Sequence, residues 1–244
     1  TLTSTWVTSV ITIAITVLFG AGLAIGYAGS PDRADQAKTM IAAGSVLGMI
    51  VVAVLGALVM TGEYASGQIR SSMMAVPHRG RLFTAKALVV SGFSFVLGLL
   101  SVTLAYAASY PFMKGHAGSL TDTHYLGLFW GTGLSFAIIA LMAQGVGHLT
   151  RSTAGAITVV VSVLFVVPLP FQMMAGHWKW VNKVLGLLPD TLSTAVSDPF
   201  SLAHQWGQAG TATFLQHWQA IAVFAAWAII PMVIAAVVFT RRDA

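Results

Sequence analysis

MIAAGSVLGMIVVAVLGALVM, residues 40–60, runs for 21 residues without a Lys, Arg, Asp or Glu. The hydrocarbon core of a bilayer takes about 20 apolar residues at helical rise. Five further charge-free stretches occupy 6–27, 87–108, 126–146, 154–170 and 219–239. The pattern predicts an all-α polytopic membrane protein with six transmembrane helices. The stretch 154–170 is the shortest and ends in Val167-Pro168-Leu169-Pro170, so it is expected to tilt or to break near its outer end. Proteins that move protons or ions through themselves usually keep ionisable groups at membrane depth. No Lys, Arg, Asp or Glu lies in these stretches, and energy for transport would have to come from elsewhere.

Composition supports the same class. Of 244 residues, 57% are hydrophobic and 8% charged, where soluble domains carry about 25% charged residues. Mean hydropathy is +0.83. Six spans and their connections use the whole length, so 1–244 is read as a single transmembrane domain. The net charge of +5 fits basic residues flanking spans and facing an anionic leaflet. No basic helix or aromatic-basic stripe points to nucleic acid, which is not expected as a partner. Without cysteine, disulfides, thiolate metal sites and a Cys nucleophile are excluded. The first apolar stretch is too long, and too poor in a cleavage-like tail, for a signal peptide.

Six crossings place both termini on one side. Arg70, Arg79, Arg81, Lys86, Arg151, Arg241 and Arg242 fall on that side, and Arg33, Lys38, Lys114, Lys179 and Lys183 on the other. Seven against five, with Arg79, Arg81 and Lys86 clustered beside one span, predicts cytoplasmic termini. Gly22-x3-Gly26 and Gly44-x3-Gly48 are small-residue patterns that let helices approach closely.

Two connections carry information. The external loop 171–218 holds Trp178, Trp180, Val181, Val184, Leu185, Leu187 and Leu188. Trp180, Val184 and Leu187 recur at helical spacing, which predicts a short helix in the outer interface or dipping into it. The segment 61–86 is not a simple connector. Ile69, Met73 and Val76 fall at i, i+4, i+7 on one face of a short amphipathic helix. Pro77 ends it, Gly80 is a further breaker, and Arg79 and Arg81 form a basic turn before the third span. Glu63 sits at the mouth of the second span, placed to meet a cation or backbone amides. By the residues alone, a helix resting on anionic membrane lipid fits equally well.

The pattern Glu63-Tyr64-x3-Gly67-x-Ile69-Arg70, then Pro77-x-Arg79-x-Arg81, then Ala85-Lys86, resembles the ABC-2 type permeases of bacterial ATP-binding cassette exporters. The ending Phe239-Thr240-Arg241-Arg242-Asp243-Ala244 resembles that of many actinobacterial members. One departure lies at the front, where only Thr1–Thr5 stand in the place of the family's basic amphipathic helix. The resemblance implies that 67–76 is a cytoplasmic coupling helix docking on a separate ABC ATPase subunit. Gly67, Ile69, Arg70, Met73, Val76, Pro77, Arg79 and Arg81 would make that junction, and Glu63 would anchor it. It further implies a second permease subunit, identical or different, a bacterial plasma membrane, and export. ATP and magnesium would be held by the ATPase. The chain itself has no Gly-x4-Gly-Lys-[Ser/Thr] loop to cradle phosphates, so it is not expected to be an enzyme.

Phe93, Phe95, Phe136, Met142, Gln144 and Phe165 lie inside the spans and are the candidates for a substrate pathway. Such a lining suits a hydrophobic or amphipathic cargo such as a drug, antibiotic, lipid or lipopeptide. Seven histidines stand in loops or at span ends, no two on one face within a span, so neither metal nor haem is expected. The rival readings are a secondary transporter, which wants a charged midplane site, and a membrane scaffold, which has no use for a docking helix.

Overall fold

Six helices are long and apolar enough to cross a membrane in the computed structural model, which describes residues 2–30, 36–68, 79–113, 123–175, 177–197 and 215–241. No strand occurs among those residues. Backbone amides in lipid have no water to bond, so each crossing closes its hydrogen bonds within itself. The crossings are α1 (Leu2–Ala28), α3 (Ser45–Ser66), α4 (Arg79–Ser109), α5 (Thr123–Thr150), a fifth composite span and α10 (His217–Arg241). A short α2 (Ala37–Met40) leads into α3.

The helix α5 is the centre. It packs against α3, α4 and α10 as well as the elements that follow it, while α1 lies across α3 and α4. In its most apolar window 72% of residues are buried, against 17% for α10. Phe136, Ile139, Ala140 and Ala143 face into a core shared with Val52 and Ala53 of α3 and Phe224 of α10. Large apolar side chains such as Leu18, Leu88, Val89 and Ile230 point outward, as a lipid-facing surface requires.

The two glycine patterns behave differently. A side chain at Gly44 would collide with the Thr16 carbonyl of α1, and one at Gly48 would meet the Phe136 ring at 2.8 Å. Gly22 and Gly26 have nothing within 4 Å. Only the second pattern is a packing seam, because only it faces another helix.

The fifth span does not break at its prolines. It runs as α6 (Thr153–Val161), a π-helical turn (Ser162–Val166) and α7 (Pro168–Met174). The Val167 N–H donates to the Ser162 carbonyl at 2.8 Å, five residues back. In an unbroken α-helix the Pro168 ring would press on the carbonyl four residues before it. The wider π turn shifts the chain and lets Pro168 open a fresh helix. Span five therefore reaches Met174, beyond the expected 170.

Beyond it the chain forms α8 (Lys179–Leu185) and α9 (Pro189–Ser197). The short helix expected in this segment is α8. It buries Val181 and Leu185, while Trp178, Trp180 and Leu187 remain exposed. Its neighbour α9 goes deeper and packs on α5, where the Ser135 hydroxyl donates to the Ser193 carbonyl at 3.4 Å. The Trp227 indole of α10 donates to the Leu187 carbonyl at 2.9 Å, pinning this segment to the last span.

Two expectations follow from the packing. Gly56 of α3 lies with its backbone against the Ala140 carbonyl of α5, whereas Gly62 faces open space. Gly56→Val is expected to destabilise the detergent-solubilised chain by about 1–3 kcal/mol through overpacking, with Gly62→Ala neutral in the same unfolding assay. In the first turn of α9, burial pushes the Asp190 carboxyl above its ordinary value. The folded state then holds that proton more tightly than the unfolded chain, so the charged form costs stability above the raised folded pKa. Asp190→Asn is expected to raise the melting temperature at neutral pH and to leave it unchanged well below the ordinary carboxylate value of about 3.9. Equal effects at both pH values would contradict this.

Candidate functional site

Spans two and three overrun their apolar stretches at the end of the bundle where the termini lie. Apolar sequence stops at 60 and resumes at 87, yet α3 continues to Ser66 and α4 begins at Arg79. Gly67 stops α3. It adopts φ +69°, a left-handed conformation favourable only to glycine among common residues, and its N–H donates to the Tyr64 carbonyl at 3.4 Å. Ile69, Arg70, Met73, Val76 and Pro77 lie outside the described residues, and with them most of the helix drawn at 67–76. Arg79, Gly80 and Arg81 are not a free basic turn. They open α4, where Gly80 is tolerated because nothing surrounds it, and Arg81 is exposed.

The protruding ends are tied to each other. The Lys86 ammonium of α4 forms an ion pair with the Glu63 carboxylate of α3, and it also points at the Met60 sulfur at 3.6 Å. The two side chains are only 15% and 22% exposed, so the pair is better shielded than an open surface bridge. Glu63 thus meets a cation, as its place at the mouth of the span suggested. Together Glu63 and Lys86 bracket the segment that joins the two helices.

Residues 4–244 match the ABC-2 family transporter protein family. The chain belongs to that family. A comparison with curated proteins finds no match. The family and the six spans together make this chain the transmembrane permease of an ABC transporter.

Other contacts of the permease hold the same end together. The α5–α6 turn consists of Arg151 and Ser152 alone, with Arg151 at φ +52° and its N–H bonded to the Gly147 carbonyl at 2.9 Å. Its guanidinium lies 5.4 Å from the Tyr64 ring centroid, within cation–π reach. The Ser152 hydroxyl caps α6 by accepting from the Gly155 N–H at 3.2 Å. The Thr61 hydroxyl donates to the Ala57 carbonyl at 2.9 Å and shares a 2.6 Å hydrogen bond with the Thr153 hydroxyl. His148 of α5 sits between Phe83 of α4 and Phe239 of α10, with centroids 4.8 and 5.6 Å away. Lys86 belongs to the motif quoted above, but its pairing with Glu63 required the two helices side by side. The roles of His148, Phe83 and Phe239 carry no local sequence signal at all.

Among the described residues, the pathway candidates lie on three different spans and are buried to different degrees. Phe136 and Gln144 are fully buried beside α5's neighbours, and Phe93 faces outward from α4. Phe95 is half-buried and its ring contacts the backbone at Gly133 of α5. Phe165 is half-buried in the π turn. Met142 borders an apolar cleft of about 430 Å³ between α5, the fifth span and α10, where Val146, Val163, Trp227 and Ile230 complete the wall.

Breaking the Glu63–Lys86 pair from one side leaves a poorly solvated charge. Glu63→Gln or Lys86→Met alone is expected to cost about 1–3 kcal/mol, and the double substitution less than the sum. A double-mutant cycle by chemical unfolding checks it. A coupling energy of zero would mean that the two helix ends are not joined there.

Proposed function

We propose that this permease is the membrane half of an ATP-driven exporter for a hydrophobic or amphipathic substrate, coupled to a separate ATPase subunit through the segment between α3 and α4. The observation that carries the reading is the Glu63–Lys86 tie, which joins the ends of two spans on either side of the segment they bracket. A force applied to 67–78 from outside the membrane would then reach both helices together instead of fraying one of them. The exposed Arg81, with Arg79 opening the same helix, presents positive charge to an acidic partner surface. Glu63 is an anchor in this reading, while Gly67, Ile69, Arg70, Met73, Val76 and Pro77 supply the docking face.

The rest of the assembly follows from the same reading. Two permease subunits, identical or different, stand side by side with two ATPase subunits, which bind the ATP and magnesium. Both termini face the cytoplasm of a bacterium. Hydrophobic cargo is supported by spans without Lys, Arg, Asp or Glu in their apolar stretches and by a cleft with only apolar walls. A secondary transporter would want an ionisable midplane site, and no observation among the described residues favours one.

Affinity capture of the chain from its native membranes in mild detergent tests the partnership, and an ATPase in equal amount is the expected companion. Arg79→Glu with Arg81→Glu is expected to reduce ATPase capture at least ten-fold while the permease stays in the membrane at normal levels. Capture that is indifferent to both reversals would remove these residues from the junction.

A further inference from the structure

His148 is 4% exposed, and neither of its ring nitrogens has a hydrogen-bond partner among the described residues. Its surroundings come from three other helices. Phe83 of α4 and Phe239 of α10 flank the ring, and both pack with Met60 and Tyr64 of α3. The Lys86 ammonium lies near enough to act on the imidazole electrostatically, and is itself held by Glu63. A phenyl ring in this place would pack against the same neighbours without two bare nitrogens. Buried donors and acceptors without partners destabilise the state that contains them. A group that is unsatisfied in one conformation, at the meeting point of four helices, is suited to bias a change between two.

We propose that His148 is a positioning residue through which a movement of the α3–α4 junction reaches α10, its ring nitrogens gaining a hydrogen-bond partner when the tied ends of α3 and α4 shift. The inference rests on the coupling reading above and adds the route inward. When the tied ends of α3 and α4 shift, Phe83 slides along one edge of the imidazole. Phe239, on another edge, is carried with it. Opening the cage admits water or a hydroxyl to the nitrogens, which favours the second arrangement. The bare nitrogens of the closed cage thus lower the free-energy difference that the ATPase must overcome.

The chain has no cysteine, so spin labels can be placed at will. Thr84→Cys on α4 and Val237→Cys on α10 are exposed sites for them. Their separation is read by pulsed electron paramagnetic resonance in the permease–ATPase complex in lipid nanodiscs, without nucleotide and with magnesium-ATP plus vanadate. Vanadate trapping is expected to change the separation in the parent. His148→Phe keeps a ring between Phe83 and Phe239, and is expected to melt at the same or a higher temperature and to retain its ATPase. It is expected to lose at least half of the vanadate-driven change. His148→Leu makes the same comparison with a smaller apolar side chain. His148→Gln, which restores a donor and an acceptor, is expected to recover part of the change. A full-sized change in the Phe and Leu variants overturns the proposal, as does a parent whose α4–α10 separation ignores vanadate. A chain that captures no ATPase overturns the coupling reading itself, which the affinity capture reads separately.

Discussion

Lipid is as apolar as leucine, so burying leucines gives no strong preference for one helix pairing over another in a membrane. What selects a pairing is how closely two backbones can come and how many dispersion contacts they then make. Here that constraint is met on α5. The Gly56 backbone lies on the Ala140 carbonyl, and the Gly48 position sits under the Phe136 ring. Those approaches set α3 against α5, and α4, α9, α10 and the fifth span take the remaining sides of the same helix. An α5 moved outward would leave its neighbours without a common surface.

The end of the bundle that carries the candidate site is organised differently. There the helices have left the apolar stretches, and specific polar contacts replace close backbone packing. Glu63 and Lys86, Tyr64 and Arg151, and Thr61 and Thr153 each join two elements. These interactions depend on geometry and charge, so they tolerate a movement of a few ångströms less well than apolar surfaces do.

Composition alone made the six crossings legible, because a charge-free stretch of 21 residues has few other uses. Their ends were less legible. A hydropathy reading stops at a charge, but a helix does not, and α3 and α4 continue past Glu63 and Lys86 because those charges neutralise one another. Identical glycine spacings at 22/26 and 44/48 had opposite outcomes, since spacing states what a helix face permits and not whether a neighbour stands there. Pro168 reads as a breaker until the π turn before it is known, and that turn has no residue signature. His148 was visible as a histidine at a span end. Its cage draws on Phe83 and Phe239, 65 residues before it and 91 after it in the chain, and no local pattern joins them.

The π turn at Ser162–Val166 has one more consequence. An α-helix advances by about 100° per residue, so a turn that holds one extra residue rotates everything beyond it by roughly that angle. The two halves of span five therefore answer to different faces of the bundle. The half before the turn, with Ala156 and Val160 buried, is phased to α5 and α3. The half after it is phased to α8. A single crossing thus presents two differently aimed faces, each matched to its own neighbours.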